Sequence, residues 1–377
     1  MLIGIEGTRA NKPNKTGVEW YAWHVIQELK KLTTNGASNG NSWILYSNHV
    51  LTGGLEALPE NWYEIRLKWP LPFGWTQFRL SWELKKHPVD VLWLPGSTLP
   101  RRIVKKTVVT VHDVGFHRLP HLYPTRQVKI HEHAMKDIAK RATRILTVSE
   151  HAGREIAEAY GISPSRIAIT PLGIDHSLYR PISDLEAIEE RLRRYQIPRP
   201  YFINIGRMDA KKNITTLIKA FTLFKTRRGV GDPHRLVLAG PAGHGSEEIR
   251  RAIANSEVKS DIIELGYVPE ADKPYLLNGA EALVHPSWYE GFGIPLVEAM
   301  ASGCPVLSSN AASLPEVCGD AALYFSPAEQ EELANALTRI TTESGLKAQL
   351  RTAGIARAAQ YTWGATAEKT LPVLTAW

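Results

Sequence analysis

Only two cysteines, Cys304 and Cys318, occur in 377 residues. Two thiols cannot staple a fold and lack metal-ligand spacing, so both are expected to be small core residues in a reducing compartment. No stretch approaches the roughly 18 consecutive apolar residues of a spanning helix. The first apolar run, MLIGIEG, meets Glu6 too soon for a signal peptide, which makes a cytoplasmic protein the expectation. Asp-x-Asp is absent, so a carboxylate-held magnesium has no obvious seat. His117, His121, His131 and His133 lack zinc spacing, and neither a solenoid-period repeat nor a low-complexity tract is found. Disulfide scaffolds, helical membrane channels and repeat arrays are therefore set aside.

What is present describes an ordinary globular chain, with 44% apolar and 22% charged residues. Its length exceeds what one core usually supports, so two domains are expected. The net charge of +7 is unevenly spread. Residues 1 to 180 carry 24 Lys/Arg against 15 Asp/Glu, whereas residues 181 to 377 carry 21 against 23. The first half should meet something anionic: nucleic acid, a membrane surface or an acidic ligand.

Short apolar runs alternate with helix-length amphipathic stretches throughout. In the first half LIGIEG, WILYS, VDVLWLPG, TVVTVHD, RILTVS and RIAITPLGID read as strands; in the second, YFINIG, RLVLAG, IIELGYV, ALVHPS and PVLSS do. This pattern predicts two α/β domains, each a doubly wound parallel sheet of Rossmann-like type. The polar, Pro-punctuated segment HSLYRPISDLEAIEERLRRYQIPRP reads as the linker. The expected boundaries are 1–178, 179–358 and a C-terminal helix, 359–377, that crosses back to the first domain. Two such sheets facing each other would make a cleft, and ligands of open α/β sheets sit beyond the carboxyl ends of the strands.

By that rule the loop in HPSWYEGFGIPLVEAMASG matters most. It sets Glu290 and Glu298 eight residues apart around a Gly-Pro hinge. Taken alone, Glu290 could be a solvated loop charge and Glu298 a favourable helix-start acid. Pro295 fits the first helical position, which leaves the N–H groups around Gly293 and Ile294 as a seat for a diphosphate. A second strand-end loop, GRMDAKKN, brings Arg207 and Lys212 as counter-charges, and an Arg with a Lys is a usual phosphate pairing.

EGFGIPLVEAMASGCPV, GRMDAKKN and SLPEVCGDAALYFSP together resemble the family-four retaining glycosyltransferases of the GT-B fold. GVEWYAWHVIQEL, VVTVHDVGFHRLP, ILTVSEHAGREI and ITPLGIDHSLYRP match the same family in order, so the resemblance covers most of the chain. It implies a nucleoside-diphosphate sugar held by the second domain and an acceptor held by the first. The implied roles are Glu298 on the donor ribose, Glu290 on the donor sugar, Arg207 and Lys212 on the diphosphate, and His112 beside the transferred sugar. Gly291, Phe292, Gly293 and Ile294 complete the donor loop, Val268 lies in the loop expected to choose the base, and Gly17 resembles a glycine turn beside the phosphates. The usual paired glycines are replaced there by Lys15-Thr16.

The function implied is a retaining hexosyltransferase, with GDP-mannose as donor and a glycan or lipid-linked glycan as acceptor, in surface polysaccharide or glycolipid synthesis. No resident cofactor is expected, and Arg207 and Lys212 would stand in for a metal. A front-face mechanism is favoured, because Asp113 beside His112 reads as a local hydrogen-bonding partner rather than a nucleophile. For His112 the alternative is that it caps its strand. A non-catalytic sugar-nucleotide sensor or scaffold is the alternative for the whole chain. A dehydrogenase is disfavoured, since no G-x-G-x-x-G follows the first strand.

The excess positive charge gathers in RRIVKK and PTRQVKIHEHAMKDIAKRATR, near the aromatics of WPLPFGWTQFRLSWELKK. Aromatics beside cations suggest an anionic membrane surface as partner, making the protein peripheral to the membrane. Alternatively Phe78 and Trp82 are helix core and the lysines merely solvated. Nucleic acid is not expected, because no binding motif accompanies the charge.

Overall fold

The β-branched apolar runs build two all-parallel sheets. The computed structural model describes residues 1–34, 40–229 and 231–377. Two units emerge: Met1–Arg118 with Thr125–Gly173 and Trp363–Trp377, and Leu119–Pro124 with Ile174–Thr362.

In the first unit the strands are β1 (Leu2–Glu6), β2 (Ser42–Ser47), β3 (Trp62–Arg66), β4 (Val91–Leu94), β5 (Lys106–Thr110), β6 (Arg144–Thr147) and β7 (Ile167–Ile169). They lie in the order β3-β2-β1-β4-β5-β6-β7. Central strands such as β4 are buried along their whole length, because helices cover both faces of a parallel sheet. Strand β3, unforeseen in the sequence, is an edge strand with three of its five residues exposed, so its WYEIR carries no continuous apolar run. Helix Gly17–Thr34 crosses over from β1 to β2, and the terminal helix Trp363–Thr375 packs against it.

The second unit holds β8 (Tyr201–Ile205), β9 (Arg235–Ala239), β10 (Ile262–Gly266), β11 (Ala282–His285), β12 (Val306–Ser309) and β13 (Ala322–Phe325). Their order is β10-β9-β8-β11-β12-β13. Phe202 on β8, Phe221 and Phe224 on helix Ile214–Arg228, and Leu333 and Leu337 on helix Gln330–Thr342 share one buried core. Each such side chain contributes about 1.5–3 kcal/mol through removal from water. The segment read as a linker is part of this unit. Its helix Leu185–Arg194, capped by Asp184 on the Ala187 N–H at 3.0 Å, buries Ile188 and Leu192 and packs on helix Lys273–Gly279.

Winding reverses between β1 and β4 in the first sheet and between β8 and β11 in the second. At such reversals the loops leaving neighbouring strands diverge to opposite faces and open a crevice. Beside the second reversal the backbones crowd: a Cβ on Gly240 would stand 1.9 Å from the Gly206 carbonyl oxygen. Gly240→Ala is therefore expected to lose about 2 kcal/mol or more of stability, since backbone cannot yield as a side chain does. Urea unfolding read by tryptophan fluorescence measures this, and an unchanged midpoint would show that the two loops need not touch.

Candidate functional site

Both charged loops of the second unit leave from the reversal. Residues 206–213 follow β8 and residues 286–293 follow β11, and β8 pairs directly with β11. The loops are stitched together by hydrogen bonds to backbone: Trp288 N donates to the Lys211 carbonyl at 2.9 Å, and Asn213 Nδ2 donates to the Pro286 carbonyl at 3.1 Å. Asn213 takes a left-handed conformation (φ 55°), which lets helix Ile214–Arg228 start directly after the turn carrying Lys212.

Glu290 is not a solvated loop charge, being only 7% exposed. Its Oε1 accepts from Lys212 Nζ at 2.5 Å and from Ser287 Oγ at 2.9 Å, while Lys211 Nζ stands 3.8 Å from Oε2. His285 Nε2 lies 3.3 Å from the same Oε1 and 3.1 Å from Ser287 Oγ. Burial pushes this carboxyl up, but Lys212, Lys211 and the His285 ring outweigh it and hold it well below the usual carboxylate range. Burial in turn lowers the His285 pKa, so the ring is neutral at pH 7. Arg207 contrasts with these side chains: it is exposed, and its guanidinium has no ion-pair partner among the described residues.

The rest of the donor loop is tightly held. Phe292 is buried and meets Tyr361 edge to face at 5.3 Å, and Ser313 Oγ donates to the Glu290 carbonyl at 2.8 Å. Gly293, with φ 96°, precedes helix Ile294–Ala301, and a Cβ there would sit 2.8 Å from Leu314. Ile294 opens that helix, so Pro295 takes the second helical position rather than the first. Val268 is buried beside the exposed Tyr267, just past β10.

Glu298, in the same helix, has the opposite electrostatics. It is 7% exposed, and burial pushes its carboxyl up to about 7, against the pull of Lys273. Tyr179 donates to Glu270 Oε1, and Lys273 Nζ donates to Glu270 Oε2 at 2.6 Å. Tyr179 also hydrogen-bonds Glu298, and Glu270 adds a repulsive charge. The buried Glu298 carboxyl and Tyr179 phenol thus meet a partly exposed carboxylate, Glu270, and its ammonium partner, Lys273.

In the first unit, His112 follows β5. Its ring meets Tyr21 edge to face at 4.8 Å and donates to the Pro95 carbonyl, and its buried Nε2 finds no partner among the described residues. Burial brings its pKa down to about 4, so the ring is neutral. Asp113 accepts from the Gly115 N–H at 3.0 Å, the local role expected of it. Gly17 opens helix Gly17–Thr34 but has ordinary φ, and a Cβ there would meet nothing within 4 Å, so no turn at this point demands glycine. Instead, Glu19 accepts from the Thr16 N–H at 3.2 Å and from the Thr16 hydroxyl, tying the chain back at the helix start, and from Lys12 Nζ at 2.8 Å. The helix start at Gly17 already holds a carboxylate. Among the described residues, no three His, Cys, Asp or Glu side chains gather as a metal site.

The family described as "Glycosyl transferases group 1" matches residues 188–357, and "Glycosyltransferase Family 4" matches residues 16–178. An Escherichia coli protein named O-antigen chain mannosyltransferase B is 33% identical over 270 residues, covering 71% of this chain and 70% of that one. The chain belongs to the group 1, family-four glycosyltransferases. A serotype-specific mannosyltransferase of Escherichia coli, WbdA, is 27% identical over 271 residues, but the match spans only 32% of its length. The Anabaena protein HepE, crystallised with UDP and glucose, superimposes with a TM-score of 0.74 at 18% identity over 100% of both chains, a likeness of fold. Two Rossmann-like parallel-sheet domains of the GT-B type are thereby established.

The sequence points to the glycosyltransferase's two glutamates and to Lys212, but not to their other partners. Lys211 was hidden beside Lys212, and His285, Ser287 and Ser313 carried no motif of their own. Tyr179, Glu270 and Lys273 come from segments that read as linker and loop. The charge balance at Glu290 can be tested directly. Lys212→Met should cost about 3 kcal/mol at neutral pH, because it leaves a buried carboxylate poorly paired. A carboxyl lowered on folding stabilises above its ordinary value of 4.5 and loses that stability as pH falls through its folded value. The variant's deficit in urea unfolding should therefore shrink on acidification, and a deficit independent of pH would contradict the pairing.

Proposed function

We propose that this glycosyltransferase moves mannose from GDP-mannose, with retention of configuration, onto a glycan or lipid-linked glycan acceptor during surface polysaccharide synthesis. One observation supports sugar-nucleotide chemistry above the others: a buried, ionised Glu290 paired with Lys212, whose loop also carries the exposed Arg207 with no ion-pair partner among the described residues, at the winding reversal of the second sheet. The choice of mannose is supported by the relatives named as mannosyltransferases.

In this reading Arg207, Lys212 and the N–H groups at Gly293 and Ile294 take the donor diphosphate. They neutralise the charge that grows as the sugar–phosphate bond breaks, each fixed donor being worth roughly a hundredfold to a thousandfold in rate. Glu290 accepts bonds from the donor sugar's hydroxyls, and its Oε2, farther from the cations than Oε1, is the freer oxygen. Glu298 accepts from the ribose, and the loop at Val268 meets the base. His112 offers its neutral, unpartnered Nε2 to a sugar hydroxyl. The leaving phosphate oxygen deprotonates the acceptor, so no side chain serves as a dedicated base. The cations make a metal dispensable, and the protein works at the cytoplasmic membrane surface. No helix among the described residues is long and apolar enough to cross that membrane.

Glu290→Ala and Lys212→Ala should each lower mannosyl transfer at least about a hundredfold. Near-normal turnover by either would remove the role given to it. Thermal shift with GDP-mannose, UDP-glucose, dTDP- and ADP-sugars identifies the donor. At about a hundred times its dissociation constant the true ligand stabilises by about 2.7 kcal/mol, and a response to UDP-sugars alone would replace the guanine nucleotide. Nucleotide affinity should also depend on pH. The raised Glu298 carboxyl accepts ribose hydroxyls more strongly once ionised, so affinity rises through about pH 7. Between pH 6 and 8 the gain is at most about tenfold, the limit set by the ionised fraction. Glu298→Gln should abolish that slope; titration calorimetry of GDP-mannose, whose phosphates are diesters that do not titrate in this range, with a flat wild-type profile, would refute the assignment.

A further inference from the structure

Away from the donor loops, the first unit carries a surface with no part in the chemistry above. A π-helical turn, Trp75–Leu80, runs directly into helix Ser81–Lys86. Phe78, Ser81, Trp82 and Lys85 follow at i, i+3, i+4 and i+7 and so share one face. That face is uncovered, contrary to the reading of Phe78 and Trp82 as core: they are 45% and 51% exposed. Just before them, Leu71 and Phe73 are 50% and 70% exposed. Four large apolar side chains therefore meet solvent within one short stretch.

Cations frame them. A cavity of about 440 Å³ lies between Phe78, Trp82 and Lys85 on one wall and Arg101 and Arg102 on the other. Its second wall is fixed by hydrogen bonds. Arg102 N donates to Ser81 Oγ at 3.2 Å, and Arg141 Nη2 donates to the Pro100 and Arg101 carbonyls at 2.8 and 2.7 Å. The helix's one acid, Glu83, is buried and engaged by Arg79 at 3.0 Å and His87 at 2.9 Å, so it does not offset the exposed charge. The cavity itself has no carboxylate in its lining.

We propose that this face docks on an anionic lipid bilayer. Leu71, Phe73, Phe78 and Trp82 would enter the headgroup boundary while Lys85, Arg101 and Arg102 meet lipid phosphates. Charge complementarity requires an anionic partner, and the exposed Leu and Phe side chains beside the cations favour a lipid boundary over a fully aqueous polyanion. Nucleic acid fits less well, because cations already lie over the rings: Arg101 is 4.4 Å from the Phe78 centroid, and Lys86 is 3.9 Å from that of Trp82. A base would have to displace them to stack. The docking surface deepens the lipid-linked acceptor reading above, but its test does not depend on that reading.

Vesicle flotation of the full chain supplies the test, with phosphatidylcholine alone and with added phosphatidylglycerol. The wild type should float with the anionic vesicles at low salt, fail to float with the neutral ones, and be released as salt screens the phosphates. Each cation near such a surface contributes about fivefold to partitioning, so Arg101→Gln with Arg102→Gln should weaken it about 25-fold. Phe78→Ser with Trp82→Ser should weaken it even at the lowest salt. Phe73→Ser, at the most exposed of these positions, serves as a further variant least able to disturb folding. Thermal shift by GDP reads the second unit and should be unaltered in all of them, so loss of the donor reading and loss of docking are separately visible. Equal flotation with both vesicle types, wild-type binding by the variants, or tighter binding to single-stranded RNA than to anionic vesicles would overturn the proposal.

Discussion

The ion pair between Glu290 and Lys212 organises the strand-end loops of the second unit. A carboxylate removed from water this completely would ordinarily pick up a proton, and the desolvation it suffers is several kcal/mol. It stays ionised because Lys212 touches it, Lys211 stands behind, and Ser287 supplies a further hydrogen bond. None of these partners is close in sequence except Ser287; the sheet brings them. Strands β8 and β11 are neighbours although β9 and β10 intervene in the chain, and the loops leaving them are stitched by the Trp288–Lys211 and Asn213–Pro286 hydrogen bonds. Positive charge is thus fixed in place by the fold, and in the proposed reading that ordering is where fixed donors gain their catalytic advantage.

Within one motif, two glutamates are driven to opposite protonation behaviour. Both are equally inaccessible, so burial alone cannot distinguish them. Glu290 faces two ammonium groups, whereas Glu298 faces one ammonium shared with a second carboxylate, Glu270. The same desolvation is overcome in the first case and prevails in the second. Identical side chains eight residues apart can therefore serve different ends, one as a permanent acceptor and the other as a group that titrates near neutrality.

Much of this was legible in the linear sequence, and the omissions have physical causes. Central parallel strands announce themselves as unbroken apolar runs, which is why YFINI and VLWL were found. Strand β3 escaped because it lies at a sheet edge, mostly exposed, and mixes polar with apolar residues, and β13 because ALYF is a run of only four residues. Glu290, Glu298, Arg207 and Lys212 were visible as strand-end charges. Tyr179 was not, because nothing in a Pro-rich connector betrays that its hydroxyl will be turned inward onto two carboxyls. Gly17 misled for the converse reason: glycine suggests a special turn, yet the tie at the helix start is made by Thr16 and Glu19. For Phe78 and Trp82, helical spacing alone could not say whether their face would be covered.

The terminal helix Trp363–Thr375 belongs to the first unit, although everything immediately before it belongs to the second. Trp363 stacks on His24 at 4.6 Å, Thr366 Oγ1 donates to the Pro171 carbonyl at 2.6 Å, and Ala367 and Leu374 are fully enclosed. Trp377 reaches Arg144, whose guanidinium lies 4.5 Å from its ring. A contiguous piece cut after Gly173 would consequently leave helix Gly17–Thr34 with a bare apolar flank. Because the second unit is threaded between the pieces of the first, a ribosome must deliver the later lobe in full before the earlier one can close.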